Sequence, residues 1–349
     1  MKKVIELGDT TTSDVQGTSA TTYALEPTKW LNQINEAAKK RHYFAQFVYQ
    51  TTLQKGQFDV VIPYRTAYLS TMTDTTTEGG AITYTDLNNL DGIRLQPSPH
   101  AYGIAISNHA LRTNAVDLIA AAREELTYYA GDVVDQAVAT GMRDATAATN
   151  SARGVSIVYG GSGNYKEADL AAGDVFTPEL VADAKRKLMS SKQTYTDYSS
   201  GFGISSASKN PWRPEPGDPF VLFIAPEQEN ALLKDPQFVN AAEYGSDKIV
   251  RNGEIGEYLG VKIVVTDNTP SYSSGDSCTD GGSGTWATNG HRCIMAKPKA
   301  AAALAWGHEP ELHVFDYPSE LETRLVLEMS YATDSVHDDA IVWISVADE

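Results

Sequence analysis

Few residues of this chain have the type and spacing to carry chemistry. His308-Glu309 and His337-Asp338-Asp339 are the two places where a histidine stands beside a carboxylate. A divalent ion at the second would need an imidazole nitrogen and carboxylate oxygens converging on one point. A solvated turn produces the same letters and is the plainer reading. The stretch Gly160-Gly161-Ser162-Gly163-Asn164 lacks the final glycine of a nucleophile elbow. "DLNNLDG" at 86–92 places Leu90 where a calcium loop needs an oxygen. Glu124 and Glu125 are adjacent on a predicted helix, so they point in different directions and make no catalytic pair. A phosphate-cradling glycine loop and a strand-linked GxGxxG are both missing. The sequence therefore assigns no catalytic residue, no cofactor and no metal ligand, and an enzyme is not expected.

Two cysteines, Cys278 and Cys293, are too few for a disulfide framework and have no metal-ligand spacing. They read as free thiols of a reducing compartment. The alternative is a pairing that closes a loop of about 15 residues, worth roughly 3 kcal/mol. The start, "MKKVIELGDTTTS", offers only Val4-Ile5 before Glu6, which does not read as a signal peptide. No apolar run reaches the roughly 20 residues of a membrane span, so no membrane partner is expected.

Charge narrows the function further. Lys and Arg number 28 against 45 Asp and Glu, a formal net charge of −17. Affinity for nucleic acid comes mostly from neutralised phosphates, so this is a poor general DNA binder. Such a chain would suit the wall of a container whose DNA should not stick to it; simple solubility explains the acidity equally well. With 349 residues the chain exceeds the roughly 250–300 at which one core stops growing, so more than one lobe is expected.

The elements that would hold such a molecule follow from periodicity. Residues 1–26 read as an extended arm. Thr28 to Val48 reads as a helix, with Trp30, Leu31, Ile34, Ala38, Phe44 and Phe47 on one stripe and a basic cluster at Lys39-Lys40-Arg41. Strands are predicted at 57–65 and 101–107. The Thr- and Gly-rich stretch between them is too long for an idle loop and reads as a two-stranded finger. Residues 115–141 predict a long spine helix with Ile119, Ala122, Leu126, Ala130, Val133, Ala137 and Gly141 inward and Asp117, Glu124, Glu125, Asp132 and Asp135 outward. Then come a strand at 154–161, a helix from Pro178 to Lys192, a polar insertion at 194–217, a buried strand at 220–225, and short helices after Pro226 and Pro236. "NGEIGEYLGVKIVVTD" at 252–267 gives the clearest strand, Val261 to Val265. A second polar insertion at 268–292 precedes the strand "CIMAK". The alanine-rich stretch Lys299 to Trp306 predicts a helix, and three strands close the chain. Alternation of Leu325, Leu327 and Met329 against Val326, Glu328 and Ser330 predicts a half-buried antiparallel sheet.

This order of elements resembles the major capsid proteins of tailed bacteriophages, whose fold is shared with the herpesvirus capsid floor. The motifs that carry it are "GEYLGVKIVVTDNTP" from Gly256 to Pro270 and the preceding "FVLFIAPEQENALLKDPQF". "TEGGAI" in the finger is similar to the branch that includes short-tailed phages. The resemblance implies an α+β fold with an N-terminal arm (1–26), a peripheral-domain helix segment (27–55) and an extended β-finger loop (56–110). A peripheral domain with the spine helix (111–150) would follow, then an axial domain (151–308) with the insertions 194–217 and 268–292. Peripheral closing strands (309–349) would complete it. It implies self-assembly into pentamers and hexamers of an icosahedral shell around double-stranded DNA, enclosed but not bound by sequence. Partners would be a separate scaffolding protein, a portal and a decoration protein. The location would be the virion capsid, with assembly in the host cytoplasm. The insertions would face outward or line capsomer centres. Tyr64, Arg65, Tyr68, Tyr84 and Arg94 are of types favoured at interface hot spots; with Glu78 and Gly79 they form the expected assembly interface. Two other classes stay open at this point: an extracytoplasmic or surface-layer binding protein, which would need a leader, and an acidic hydrolase, which would need a convergent carboxylate pair.

Overall fold

A computed structural model describes residues 43–65, 90–114, 117–145, 155–190, 192–197, 203–208, 211–215, 218–234, 257–279 and 284–348. The arm, most of the first expected helix, the finger beyond its base and the helix expected after Pro236 lie outside these residues. In chain order the elements are β1 (Tyr49–Thr52), β2 (Val60–Arg65), β3 (Leu90–Leu95), β4 (Ser98–Ser107), α1 (Asn108–Thr113) and α2 (Leu118–Arg143). They continue with β5 (Ser156–Tyr159), α3 (Pro178–Met189), β6 (Lys192–Asp197), β7 (Gly203–Ser208), β8 (Phe220–Ile224) and α4 (Pro226–Lys234). The last strands are β9 (Glu257–Tyr258), β10 (Val261–Val265), β11 (Ser271–Tyr272), β12 (Gly290–Ala296), β13 (Ala302–Tyr317), β14 (Glu322–Ser335) and β15 (Ile341–Ala347).

Two sheets organise these strands. One has the order β1-β13-β14-β4; the other runs β5-β15-β12-β8-β10-β9, with β11 beside β12. Hairpins β2-β3 and β6-β7 stand apart from both. In the second sheet β8 and β10 pair in parallel, Val261 beside Phe220 through Val265 beside Ile224. Both of its faces are covered, which explains an apolar run without alternation at 220–224. Val221 and Phe223 join the core under α2, while Phe220, Leu222 and Ile224 face α3 through Val181, Ala184 and Leu188.

The spine helix α2 starts where Asp117 caps it, its carboxylate accepting the backbone N–H groups of Ile119 and Ala120. It is 26 residues long, about 39 Å at 1.5 Å per residue. Its buried line runs Ala122, Leu126, Ala130, Val134, Val138, Met142. Strict four-residue spacing turns that line by about 40° per step around a helix of 3.6 residues per turn, so the buried face winds around the helix and meets β13 and β14, the 3-10 turn at Phe44 and Trp343 in different places. For that reason Val133, Ala137 and Gly141, expected on the line, are only half-buried. Asp135, expected on an outer face, is 0% exposed.

Other expectations change. The first helix does not run to Val48: Phe44–Gln46 is a single 3-10 turn and Tyr49 already begins β1. Phe44 ends the segment against the core, its ring 4.0 Å from that of Phe223. The helix from Pro178 stops at Met189. The insertion 194–217 holds most of the hairpin β6-β7 and is not a plain loop. The insertion 268–292 is not wholly outward, since Trp286 is buried and stacks on Tyr272.

Lys299 to Trp306 is the largest reversal. After one turn, in which Lys297 accepts from Ala300 and Ala301 and Lys299 takes a left-handed φ of 59°, the chain enters β13. Ala302 and Leu304 pack toward α2, and Ala303 and Ala305 toward the finger base. Alanine is here because it is small on both faces, and that packing overrides its helix propensity. Alternation in β14 matches expectation, with Thr323, Leu325, Leu327, Met329 and Tyr331 buried. β15 is instead buried at every position, flanked by β12 and β5 in the other sheet.

Candidate assembly surface

β2 and β3, which flank the expected finger, pair antiparallel from Val60 beside Leu95 to Arg65 beside Leu90. Period-two alternation divides this ladder. Ile62, Tyr64, Ile93 and Leu95 turn inward onto Ala303, Ala305 and Val336. Val61 and Leu90 are 57% and 56% exposed, and Phe58, just before β2, is 68% exposed. Gly92 belongs to the outer face because a Cβ there would lie 2.8 Å from Val61 Cγ1.

Only part of the expected interface falls on described residues. Tyr64 is half-buried; its hydroxyl bonds Asp91 Oδ2 at 3.2 Å, and its ring meets His337 edge-on at 5.0 Å. It is thus committed largely to its own subunit. Arg94 is exposed and pairs with Asp59 across the hairpin. Arg65 closes β2 opposite Leu90. Tyr68, Glu78, Gly79 and Tyr84, together with the "TEGGAI" stretch, lie outside the described residues. Residue type alone did not single out Phe58, Val61 and Leu90 as exposed apolar positions. Alternation within "VVIPYR" was the signal that could have found Val61.

The residues considered for chemistry serve packing or solvent. His337 sits edge-on between Tyr64 and Trp212, both at 5.0 Å, with Nδ1 3.8 Å from Asp339 Oδ1. It joins the finger base to the loop after β7. His308 lies in an irregular stretch of the β13-β14 ladder, with Nε2 3.3 Å from Glu311 Oε2 and half its side chain exposed. Among the described residues no group of three His, Cys, Asp or Glu side chains is placed to hold a metal ion. Glu124 and Glu125 are both exposed. Cys278 and Cys293 are free thiols, and burial pushes the Cys293 thiol upward, away from thiolate. Among the described residues no helix is long and apolar enough to cross a membrane.

Two buried polar joints went unseen in the sequence. In the first, Asn268 Nδ2 donates to Asp135 Oδ2 at 2.9 Å, and Asp135 Oδ1 accepts the Ala45 N–H at 3.2 Å. The motif after β10 is thereby tied to the spine helix and to the 3-10 turn. In the second, Arg292 and Glu167, both 0% exposed, pair through Nε and Oε1 at 3.0 Å. Ser345 Oγ and the Thr279 N–H also donate to that carboxylate, at 2.9 and 3.2 Å. Arg292 lies 4.2 Å from the Trp343 ring and 5.1 Å from that of Tyr272. This joint fastens the 268–292 insertion to the sheet.

Exposed apolar residues at β2 and β3 offer surface suited to contact with other chains. Comparison with known proteins agrees. A family model described as phage capsid protein matches residues 91–342. Comparison with curated proteins finds no match. The capsid of cyanophage Pam1 superposes with a TM-score of 0.67 at 15% identity, covering 95% of this chain and 99% of that chain. The capsid of cyanophage P-SCSP1u gives 0.65 at 13% identity, over 93% and 94%. The capsid of Ralstonia phage GP4 gives 0.63 at 15% identity, over 100% and 99%. These neighbours share the tailed-phage capsid fold, and the family match displaces the binding-protein and hydrolase readings. The chain belongs to the phage capsid protein family and is a structural major capsid protein.

Proposed function

We propose that copies of this protein tile an icosahedral shell as pentamers and hexamers, with the finger of each copy lying over a neighbour. The observation that carries this is the two-faced finger base. Its inner face is fixed on the body by Ile62, Tyr64, Ile93 and Leu95, while Phe58, Val61 and Leu90 remain exposed. An isolated two-stranded hairpin is marginal in water, and obligate interfaces bury roughly 2,000–5,000 Å². A long finger over a neighbour supplies both support and area.

In this reading residues 56–110 are the finger, 111–150 the peripheral domain with its spine, and 151–308 the axial domain, which β15 completes. Residues 1–26 are an arm and 27–55 lead into the peripheral domain, to which β13 and β14 also belong. The finger contacts include Tyr68, Glu78, Gly79, Tyr84, Arg65 and Arg94, joined by Phe58, Val61 and Leu90. The net charge of −17 suits a wall that encloses double-stranded DNA without gripping it. Assembly takes place in the host cytoplasm with a separate scaffolding protein and a portal, and a decoration protein binds the finished surface.

Electron microscopy of the protein produced with its scaffolding protein tests this. Closed shells with five- and six-fold capsomers are expected from the wild type. Replacing residues 66–89 by a two-residue turn keeps β2 and β3 paired, and should leave folded subunits that form few or unstable shells. Normal shells from that variant would remove the finger from the interface.

A further inference from the structure

A guanidinium taken out of water must find acceptors for its N–H groups, which are held in a rigid planar fork. Arg292 is 0% exposed. Its Nε and Nη2 both donate to Glu167 Oε1, the oxygen that also accepts the Ser345 hydroxyl. The remaining nitrogen, Nη1, is buried without a hydrogen-bond partner. The Tyr272 hydroxyl is in the same position, and so is Trp286 Nε1. Native interiors leave few polar atoms unsatisfied, so their gathering in one joint points to a shared ligand.

These atoms lie over one end of the second sheet. Tyr272 pairs with Gly290, and Arg292 comes two residues later on the same face of β12. The Arg292 guanidinium carbon is 5.1 Å from the Tyr272 ring centre. On Tyr272 the Trp286 ring stacks at 4.8 Å and 5°. Gly290 permits that approach, since a Cβ there would lie 2.5 Å from Trp286 Cζ3. Burial raises the pKa of the Tyr272 hydroxyl, and Arg292, Thr279, Glu167 and Arg143 act on it too. Thr279 stands beside that hydroxyl without the geometry of a full bond. Polar groups from distant segments thus face one another around the Tyr272 hydroxyl.

We propose that an ordered water molecule bridges Arg292 Nη1 and the Tyr272 hydroxyl and completes the joint that fastens the 268–292 insertion to the sheet. The chemistry of the site selects that ligand. It must accept from Nη1, and it must meet a hydroxyl that can either donate or accept. Charge excludes the competitors. Glu167 already balances Arg292, and Asp144 pairs with Arg143, so an anion would bring an unbalanced charge into a buried site. A cation would face N–H groups. Water is neutral, and buried waters typically make about three hydrogen bonds to otherwise unsatisfied groups. It ties β12 to β11 and, through the bond from Arg292 to Glu167, to the turn at Glu167–Asp169.

This inference concerns the frame of one subunit and stands apart from the shell reading. Crystals of the wild-type protein, grown with bromide as the only halide, test it. A density peak is expected within about 2.7–3.2 Å of both Arg292 Nη1 and the Tyr272 oxygen, with no anomalous signal at the bromine edge. No peak, or a direct bond between Arg292 and Tyr272 in its place, overturns the inference. A peak with bromine signal overturns it as well, because the ligand is then an anion. Tyr272→Phe gives a second reading, since it keeps the stack on Trp286 and removes the hydroxyl. It should lose the peak and speed amide hydrogen exchange of residues 271–279 at least about tenfold, as local opening becomes easier. A peak that persists in this variant, with exchange as slow as in the wild type, shows that Tyr272 does not hold the water and overturns the bridge.

Discussion

Arg292 and Glu167 show what a buried ion pair is worth in this frame. Both side chains are inaccessible, and the carboxylate also accepts from Ser345 and Thr279. Removing one partner leaves an uncompensated charge, so Glu167→Ala should cost about 3–5 kcal/mol. The double change Glu167→Leu with Arg292→Met should recover most of that loss, and urea unfolding of both variants checks it. Lys187 is the opposite case, a cation with a backbone partner, the Ile157 carbonyl. Burial is the main cause, with Arg186 adding to it, that lowers its pKa from 10.5 to about 8. Below pH 8 both states hold the proton and the folded state bears the whole penalty. Between 8 and 10.5 the folded state has released it while the unfolded chain keeps it, so stability rises with pH across that window. Each unit of difference is worth about 1.4 kcal/mol. Lys187→Met should therefore melt higher than wild type at pH 7, partly offset by the orphaned Ile157 carbonyl. The advantage should shrink steadily from pH 8 to 10.5 in a series of thermal melts.

Elements here are fixed by what they touch more than by what they are made of. The strand β10 needs no chemistry because its task is to be core; the loop after it does the joining. Asp135→Ala or Asn268→Ala should each cost about 1–3 kcal/mol by orphaning a buried partner. The double variant should cost less than the sum, a coupling of about 0.5–3 kcal/mol in a cycle of denaturant melts. Additive losses would mean the bond contributes nothing. β13 gives the complementary test. Ala303 is fully buried against the finger base, so Ala303→Leu should overpack that side and cost about 1–3 kcal/mol. A helix at 299–306, as propensity suggests, would accept leucine gladly, so the sign of the change in melting temperature separates the two conformations.

On the scale of the whole molecule, like charge opposes the association that the fold serves. Shell formation should accelerate between about 50 mM and 500 mM salt as repulsion is screened, read by light scattering; a rate that falls with salt would mean attractive ion pairs dominate the contact. The sequence by itself determined a good deal. Unbroken apolar runs and strict alternation reveal burial on two faces or on one, so β8, β10 and β14 were legible, as was the spine. The order of those elements, with the "GEYLGVKIVVTDNTP" motif, pointed to the capsid family. What only the tertiary structure decided were matters of contact between distant segments. Asp135 reads as a surface residue until Asn268, 133 positions away, comes to meet it. Ala302 to Ala305 read as helix until both faces are covered. β15 reads as a companion of β14 until β5 and β12 claim it.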